Sequence, residues 1–319
     1  MRILPRLLVR LGLAFLSALL CTMPGAAQNL SYQGGAVVSS PQIVVVYWGP
    51  NVDPTLQSNL PGMYNTLLSG PWMNILKQYS TVGLTPLQGG PSSGQTMQAG
   101  AFGKAVTITP SNPTAGTEGA IVQELSNQIV SGAVPAPTLD PQGFSQTIYV
   151  VYFPPGFTFT DYSQPTRTSC KDFDEIEFNL SYQATKVPTI LFSDLSGAPC
   201  RDTAVPLMDQ YALDNSVQLA QTITGPFIPV PNAPASLLAA SGWDDYVGPV
   251  SGNVIGKCYG NPAYFPFPSV QGVISPLLWS NAQRGCVLSD SGNATPDDFS
   301  ISSNMTSLTA NGEPQLPCP

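Results

Sequence analysis

The sequence predicts an α/β domain with strands and helices alternating over a layered, mixed sheet. Three short β-rich apolar runs carry this expectation, together with the helical patterns between them and the lack of any internal repeat. Near-continuous apolar strands are what a sheet covered on both faces requires.

The elements follow in order. Ile43-Val44-Val45-Val46-Tyr47-Trp48 reads as a buried strand stopped by Gly49-Pro50. From Leu60 to Tyr79, Met63, Leu67, Leu68, Trp72, Ile75 and Leu76 fall at helical spacing. A second helix, Thr117 to Val130, starts on a capping threonine and carries Ile121, Leu125 and Ile129. Thr147 to Phe153 is the second strand, ended by Pro154-Pro155-Gly156, and Pro188 to Phe192 is a shorter third. The last helix runs from about Val205 to Thr224, with Pro206 suited to its first turn and Gly225-Pro226 as a stop. Phe227 to Pro276 is rich in Pro, Gly and aromatic residues and reads as loop-dominated.

At the front, Arg2, Arg6 and Arg10 precede a short apolar run from Leu11 to Cys21, and Gly25-Ala26-Ala27 supplies small residues for cleavage before Gln28. Residues 1–27 are therefore expected to be a secretory signal peptide. The rival is a lipid anchor on Cys21, but bulky Leu20 sits where such sites want a small residue. No later segment is apolar enough to cross a membrane. One domain over 28–290 and a polar, poorly ordered tail over 291–319 complete the expected organisation.

The composition bounds the partners. Lys plus Arg number 11, Asp plus Glu 19, and the formal net charge is −8. Losing the three leader arginines takes the charge to about −11, which argues against nucleic acid or anionic membranes as partners. Charged residues are 9% of the chain, against roughly 25% in ordinary globular proteins. Work in acid and plain extracellular composition explain this equally well. The chain has no histidine, which excludes Ser-His-Asp and Cys-His chemistry and any His-ligated zinc site. After export, Cys170, Cys200, Cys258, Cys286 and Cys318 remain. The expected pairs are Cys170 with Cys200 and Cys258 with Cys286, leaving Cys318 free.

Several blocks together resemble the phosphate-induced protein 1 family, also called EXORDIUM-like proteins, in its bacterial form. Tyr32-Gln33-Gly34-Gly35 and the strand through Trp48-Gly49 are similar to the family's Tyr-His-Gly-Gly opening and following strand, with Gln33 in place of histidine. Tyr149 to Gly156 and Ser169-Cys170 resemble a strand and cysteine block. Ser216-Val217-Gln218-Leu219-Ala220-Gln221 falls where the family has Ser or Ala followed by His-Glu-Leu-Ala-Glu, and Thr224-Gly225-Pro226-Phe227 follows in register. Val254-Ile255-Gly256-Lys257-Cys258 stands at the family's Glu-Ile-Gly-Asp-x-Cys, and Trp279 to Val287 is similar to a C-terminal block. The resemblance spans about residues 31 to 290.

It implies a zincin-like layered fold with a central metal-site helix. A His and a Glu four residues apart share one helical face and, with a later carboxylate, could hold zinc; the Glu beside the His could act as general base. Here Val217 fills the histidine position, Gln218 the base, Gln221 the second ligand and Val254 the third. None of these side chains is a competent ligand or base. The expected protein is a secreted, non-catalytic pseudo-metallopeptidase without metal or cofactor, binding an extracellular protein or polysaccharide.

Other candidates are weaker. Asp172, Asp174, Glu175 and Glu177 form the densest acidic cluster, which lacks an EF-hand's spacing and reads as a solvated loop. Asp290-Ser291-Gly292 resembles an aspartic-peptidase triplet without a partner, and Asp244-Asp245 beside Trp243 reads as a turn. Tyr259, Tyr264, Phe265, Phe267 and Trp279 would suit carbohydrate binding if exposed and a loop core if buried. Asn29, Asn179, Asn293 and Asn304 head sequons. The alternative function is an acid-active secreted hydrolase, peptidase or glycosidase, working through carboxylates. Two carboxylates converging in a cleft would favour it.

Overall fold

The computed structural model describes residues 29–87, 89–197, 199–201, 205–226, 242–244, 253–255, 258 and 269–287. The expected leader, most of the Phe227–Pro276 loop region, Asp290 and the polar tail lie outside them.

Five strands form the main sheet. They are β2 (Gln42–Tyr47), β3 (Ala101–Thr107), β5 (Thr147–Tyr152), β7 (Glu175–Tyr182) and β8 (Thr185–Phe192), in the order β3-β2-β5-β8-β7. β2, β3, β5 and β8 run parallel, and β7 is antiparallel to β8 at one edge. The sheet is therefore mixed, as expected. Two short strands, β4 (Ala115–Thr117) and β6 (Thr158–Thr160), pair beside it.

Strand alternation splits the core in two. Ile43, Val45, Ile148, Val150, Tyr152, Ile190 and Phe192 face one apolar layer; Val44, Val46, Tyr149, Val151 and Leu191 face the other. Helix α3 (Glu118–Val130) covers the second layer with Ile121, Leu125 and Ile129, and Thr117 caps it by accepting from the Ala120 amide at 3.2 Å. Helices α1 (Pro54–Ser69), α2 (Pro71–Leu76) and α4 (Leu207–Thr224) cover the first.

The single helix expected over Leu60–Tyr79 is two helices and a short 3-10 turn, Lys77–Tyr79. The break falls at Gly70-Pro71. Pro71 cannot donate to the preceding turn, and a Cβ at Gly70 would collide with the Thr66 carbonyl. α1 also starts earlier than the apolar pattern, because Asp53 accepts from the Thr55 amide at 2.6 Å and Pro54 occupies the first turn. The last helix starts at Leu207, with Pro206 as its N-cap residue.

Three small ladders surround this body: β1 (Ser31–Tyr32) with β9 (Trp243–Asp244), β10 (Ser269–Val270) with β11 (Val273–Ile274), and β12 (Leu278–Ser280) with β13 (Gly285–Val287). The two disulfides are those expected, Cys170–Cys200 and Cys258–Cys286. Asn281 ties the β12–β13 turn to the start of the described chain, accepting from the Leu30 amide at 2.8 Å and donating to its carbonyl at 2.9 Å. Among the described residues, no helix is long and apolar enough to cross a membrane.

Candidate functional site

Helix α4 carries two faces. Tyr211, Ala212, Leu219, Ala220 and Ile223 pack into the first apolar layer. Asp214, Gln218 and Thr222 recur every fourth residue, so they form a second stripe. Gly225-Pro226 ends the helix as the sequence signalled, with the Gly225 amide donating to the Gln221 carbonyl at 2.8 Å.

The polar stripe of α4 meets β7. The cluster at Asp174, Glu175 and Glu177 is not a solvated loop: Glu175 and Glu177 are strand residues, and only Asp172 stands exposed before the strand. The chain from Glu175 to Leu180 alternates polar and apolar residues, which is the strand signal that identifies it. Glu175 and Glu177 pair with Phe192 and Ile190, both of which face the α4 layer, while Ile176 pairs with Leu191 on the other side. The two glutamates therefore point under the sheet toward α4.

Contacts across this seam are few and polar. Gln218 Nε2 donates to Glu175 Oε1 at 3.1 Å. Thr222 lies beside Glu177 without completing a hydrogen bond, so Thr222 Oγ1 and both Glu177 carboxyl oxygens stay buried and unpartnered. Asn179 Oδ1 and Asp214 Oδ2 are buried and unpartnered in the same way. Apart from the Thr222 hydroxyl, which can also donate, every one of these atoms is an acceptor unless a carboxyl is protonated.

Burial is accordingly the first cause of the pKa shifts here. It pushes Glu177 up to about 8, against a small opposing contribution from Thr222. Burial also raises Glu175, reinforced by Asp174 and opposed by the Gln218 amide. Asp214 is raised first by burial and then by the charges of Glu175 and Asp174. Such a seam keeps protons at pH values where free carboxyls have lost them.

The positions mapped from the family motif meet different surroundings. Val217 is a core residue at 8% exposure, and fully buried Val254 belongs to the same apolar cluster, its carbonyl accepting from the Trp279 amide at 2.8 Å. Gln218 turns instead to Glu175, and Gln221 is half-buried on the last turn. Gln33, at the family's histidine position, is fully buried and donates to the Asp244 carbonyl at 2.8 Å, holding β1 against β9. Among the described residues, no three Cys, Asp or Glu side chains converge as a metal shell requires.

The remaining candidates sort by burial. Trp243 and Trp279 are core residues: the Trp243 indole donates to the Tyr79 carbonyl at 2.7 Å, and Trp279 Nε1 donates to Asn281 Oδ1 at 3.0 Å. Asp244 is buried in β9 rather than in a turn. Tyr259, Tyr264, Phe265, Phe267, Asp245 and Cys318 fall outside the described residues, as do the sequons at Asn293 and Asn304. Asn179 sits inside β7, where its backbone is extended and its amide oxygen buried.

One end of the seam lies at the carboxyl edge of the sheet. β7 begins at the carboxyl end of the parallel strands, beside Phe192, the last residue of β8, and Asp194 follows in the loop beyond. Its acids could exchange a proton between two carboxyls, or accept hydrogen bonds from a cationic group. No family model matches the chain, and no curated protein or solved structure is similar to it at a significant level.

Proposed function

We propose that the chain is a secreted, non-catalytic EXORDIUM-like protein, a zincin-type scaffold that binds an extracellular protein or polymer. The observation that carries this reading is the chemistry of α4. The helix lies beneath a mixed sheet and offers Val217, Gln218 and Gln221 where the motif needs a ligand, a base and a ligand. Val217 packs into the core, and Gln218 spends its amide on Glu175. An isosteric Gln at the base position keeps a hydrogen bond while giving up proton transfer. Metal analysis of the purified protein tests this: stoichiometric tight zinc, or chelator-sensitive peptidase activity, would sink it.

A second reading has its own observation. Glu175 lies close enough to Asp214 for its charge to raise the proton affinity of Asp214 in a half-buried seam. A carboxyl pair sharing a proton can supply both an acid and a base for hydrolysis in acid. Protein and glycan substrates incubated from about pH 2 to about pH 5 decide it, since that is the range in which such pairs work. Turnover lost in both Glu175→Gln and Asp214→Asn supports the hydrolase, and no turnover across the range removes it.

A further inference from the structure

We propose that the outer edge of β7 takes up an extended basic segment of a partner protein, with Lys or Arg opposite Glu175 and Glu177. This deepens the binding reading above and rests on it. The first support is the backbone. The Ser193 amide donates to the Asp174 carbonyl at 2.9 Å, which fixes residues 174, 176, 178, 180 and 182 as those bonded to β8. The peptide groups of Glu175, Glu177, Asn179 and Ser181 then point the other way. Among the described residues β7 pairs with no second strand, so these groups form an open ladder.

The second support is the side chains of those same residues. Glu177 keeps both carboxyl oxygens buried and unpartnered, and Asn179 Oδ1 is in the same state. Residues whose peptide groups face outward thus also carry the unmet acceptors beneath the sheet. An added strand puts alternate side chains on that face, with Cβ atoms roughly 5 Å from those of Glu175 and Glu177. Only donor-rich side chains answer acceptors there, and Lys and Arg bring charge as well.

Charge fixes the register and the choice between cations. Asp174, Glu175 and Glu177 on the β7 side and Asp214 on α4 are all acidic, and a cation laid beside them favours the charged form that burial disfavours. The cation at the far end, Lys186, donates to Ser181 Oγ at 2.7 Å and would repel a basic residue placed there. The basic positions are therefore opposite Glu175 and Glu177. A bare metal ion fits less well, because the acids are strung along the seam instead of gathered into one shell. A Lys or Arg every second residue matches that spacing.

Labelled nonapeptides test the proposal on the full mature chain by fluorescence polarisation: one alternating Lys and Val, one alternating Glu and Val, and the first N-methylated at its lysine amides. The Lys peptide is expected to bind, the Glu peptide to fail, and N-methylation to weaken binding about tenfold or more by removing the ladder donors. Glu177→Gln should weaken it about fivefold or more, with circular dichroism confirming the fold. Equal binding of the methylated peptide would show attraction without strand addition and overturn the proposal, as would equal binding of the Glu peptide or no binding at all. Cleavage of a peptide bound in this way would uphold the docking mode while ending the non-catalytic reading, so the two failures are distinct.

Discussion

Gln218 on α4 reaches across to Glu175 on β7 and donates to its carboxyl at 3.1 Å. This bond joins the polar stripe of the helix to the acids of the edge strand. It places a neutral amide in the midst of Asp174, Glu175, Glu177 and Asp214. The neutrality of residue 218 is therefore an electrostatic requirement of the packing. Gln218→Glu adds a further buried carboxyl to a seam already short of donors. We expect the variant to be close to wild type near pH 4, where the carboxyls hold protons, and destabilised by about 1–3 kcal/mol near pH 8. Urea denaturation at the two pH values measures the difference. Equal loss at both would place the effect in shape, not charge.

The same seam sets the pH dependence of the whole domain. A carboxyl whose folded pKa is raised binds its proton more tightly folded than unfolded. Its contribution to stability is complete below the unfolded value and is lost as pH climbs through the folded one. For Glu177 that window runs from its ordinary 4.5 to about 8. At roughly 1.4 kcal/mol per pKa unit, the loss is on the order of several kcal/mol. Glu175 and Asp214 act in the same direction. The melting temperature should therefore fall between about pH 5 and pH 8, and Glu177→Gln should flatten the profile. A wild-type profile that rises with pH over this range would contradict the seam's protonation. The low charge content of the sequence left acid adaptation and extracellular composition equally open, and this profile separates them.

Much of the core was legible because its residues repeat at a period. The first two predicted strands and the Thr117–Val130 helix coincide closely with β2, β5 and α3, while the third covers only the last five residues of β8, which starts at Thr185. β7 carries an equally regular alternation, but its first two polar members are acids that follow Asp172 and Asp174, and a run of acids suggests solvent. The edge position resolves the contradiction, since inward-pointing acids keep an edge strand from pairing with apolar segments while leaving it open to a basic one. β3 was missed for a different reason: Gly103 and Lys104 interrupt its apolar pattern, as an edge strand with one side open permits. At the site, the sequence singles out Gln218 as the emptied base position of a metal motif. The residue it faces lies 43 positions away, so only the fold could supply Glu175.

Asn215, the residue after Asp214, faces the opposite side of α4. There its Oδ1 accepts from the Tyr64 hydroxyl at 2.5 Å and from the Tyr152 hydroxyl at 2.6 Å, and its Nδ2 donates to the Tyr211 carbonyl at 2.7 Å. All three side chains are fully buried, linking α1, the centre of the sheet and α4. Asn215→Leu removes the shared acceptor and leaves the Tyr64 and Tyr152 hydroxyls only each other, 2.6 Å apart, so that one phenol O–H has no acceptor and we expect a loss of about 2–4 kcal/mol. Tyr64→Phe removes one donor and leaves Tyr152 bonded, which should cost about 1–2 kcal/mol. Chemical denaturation of both variants checks the ratio. Similar losses would mean that the three groups do not share Asn215 as their common partner.

Cys170–Cys200 closes the loop that contains β7 and β8, with a sequence separation of 30. Cys170 lies just before β7 and Cys200 just before α4, so the bond ties together the beginnings of the two elements that form the seam. Chain-entropy reasoning gives a loop of this length about 3–4 kcal/mol. A Cys170→Ala, Cys200→Ala variant should therefore be less stable by that amount. Cys258–Cys286 encloses a loop of similar length and should give a similar global loss. The two differ locally: only loss of the first should speed hydrogen exchange in β7 and the first turns of α4. Exchange that rises there equally in both variants would mean the seam is held by its packing alone, without help from the bond at its head.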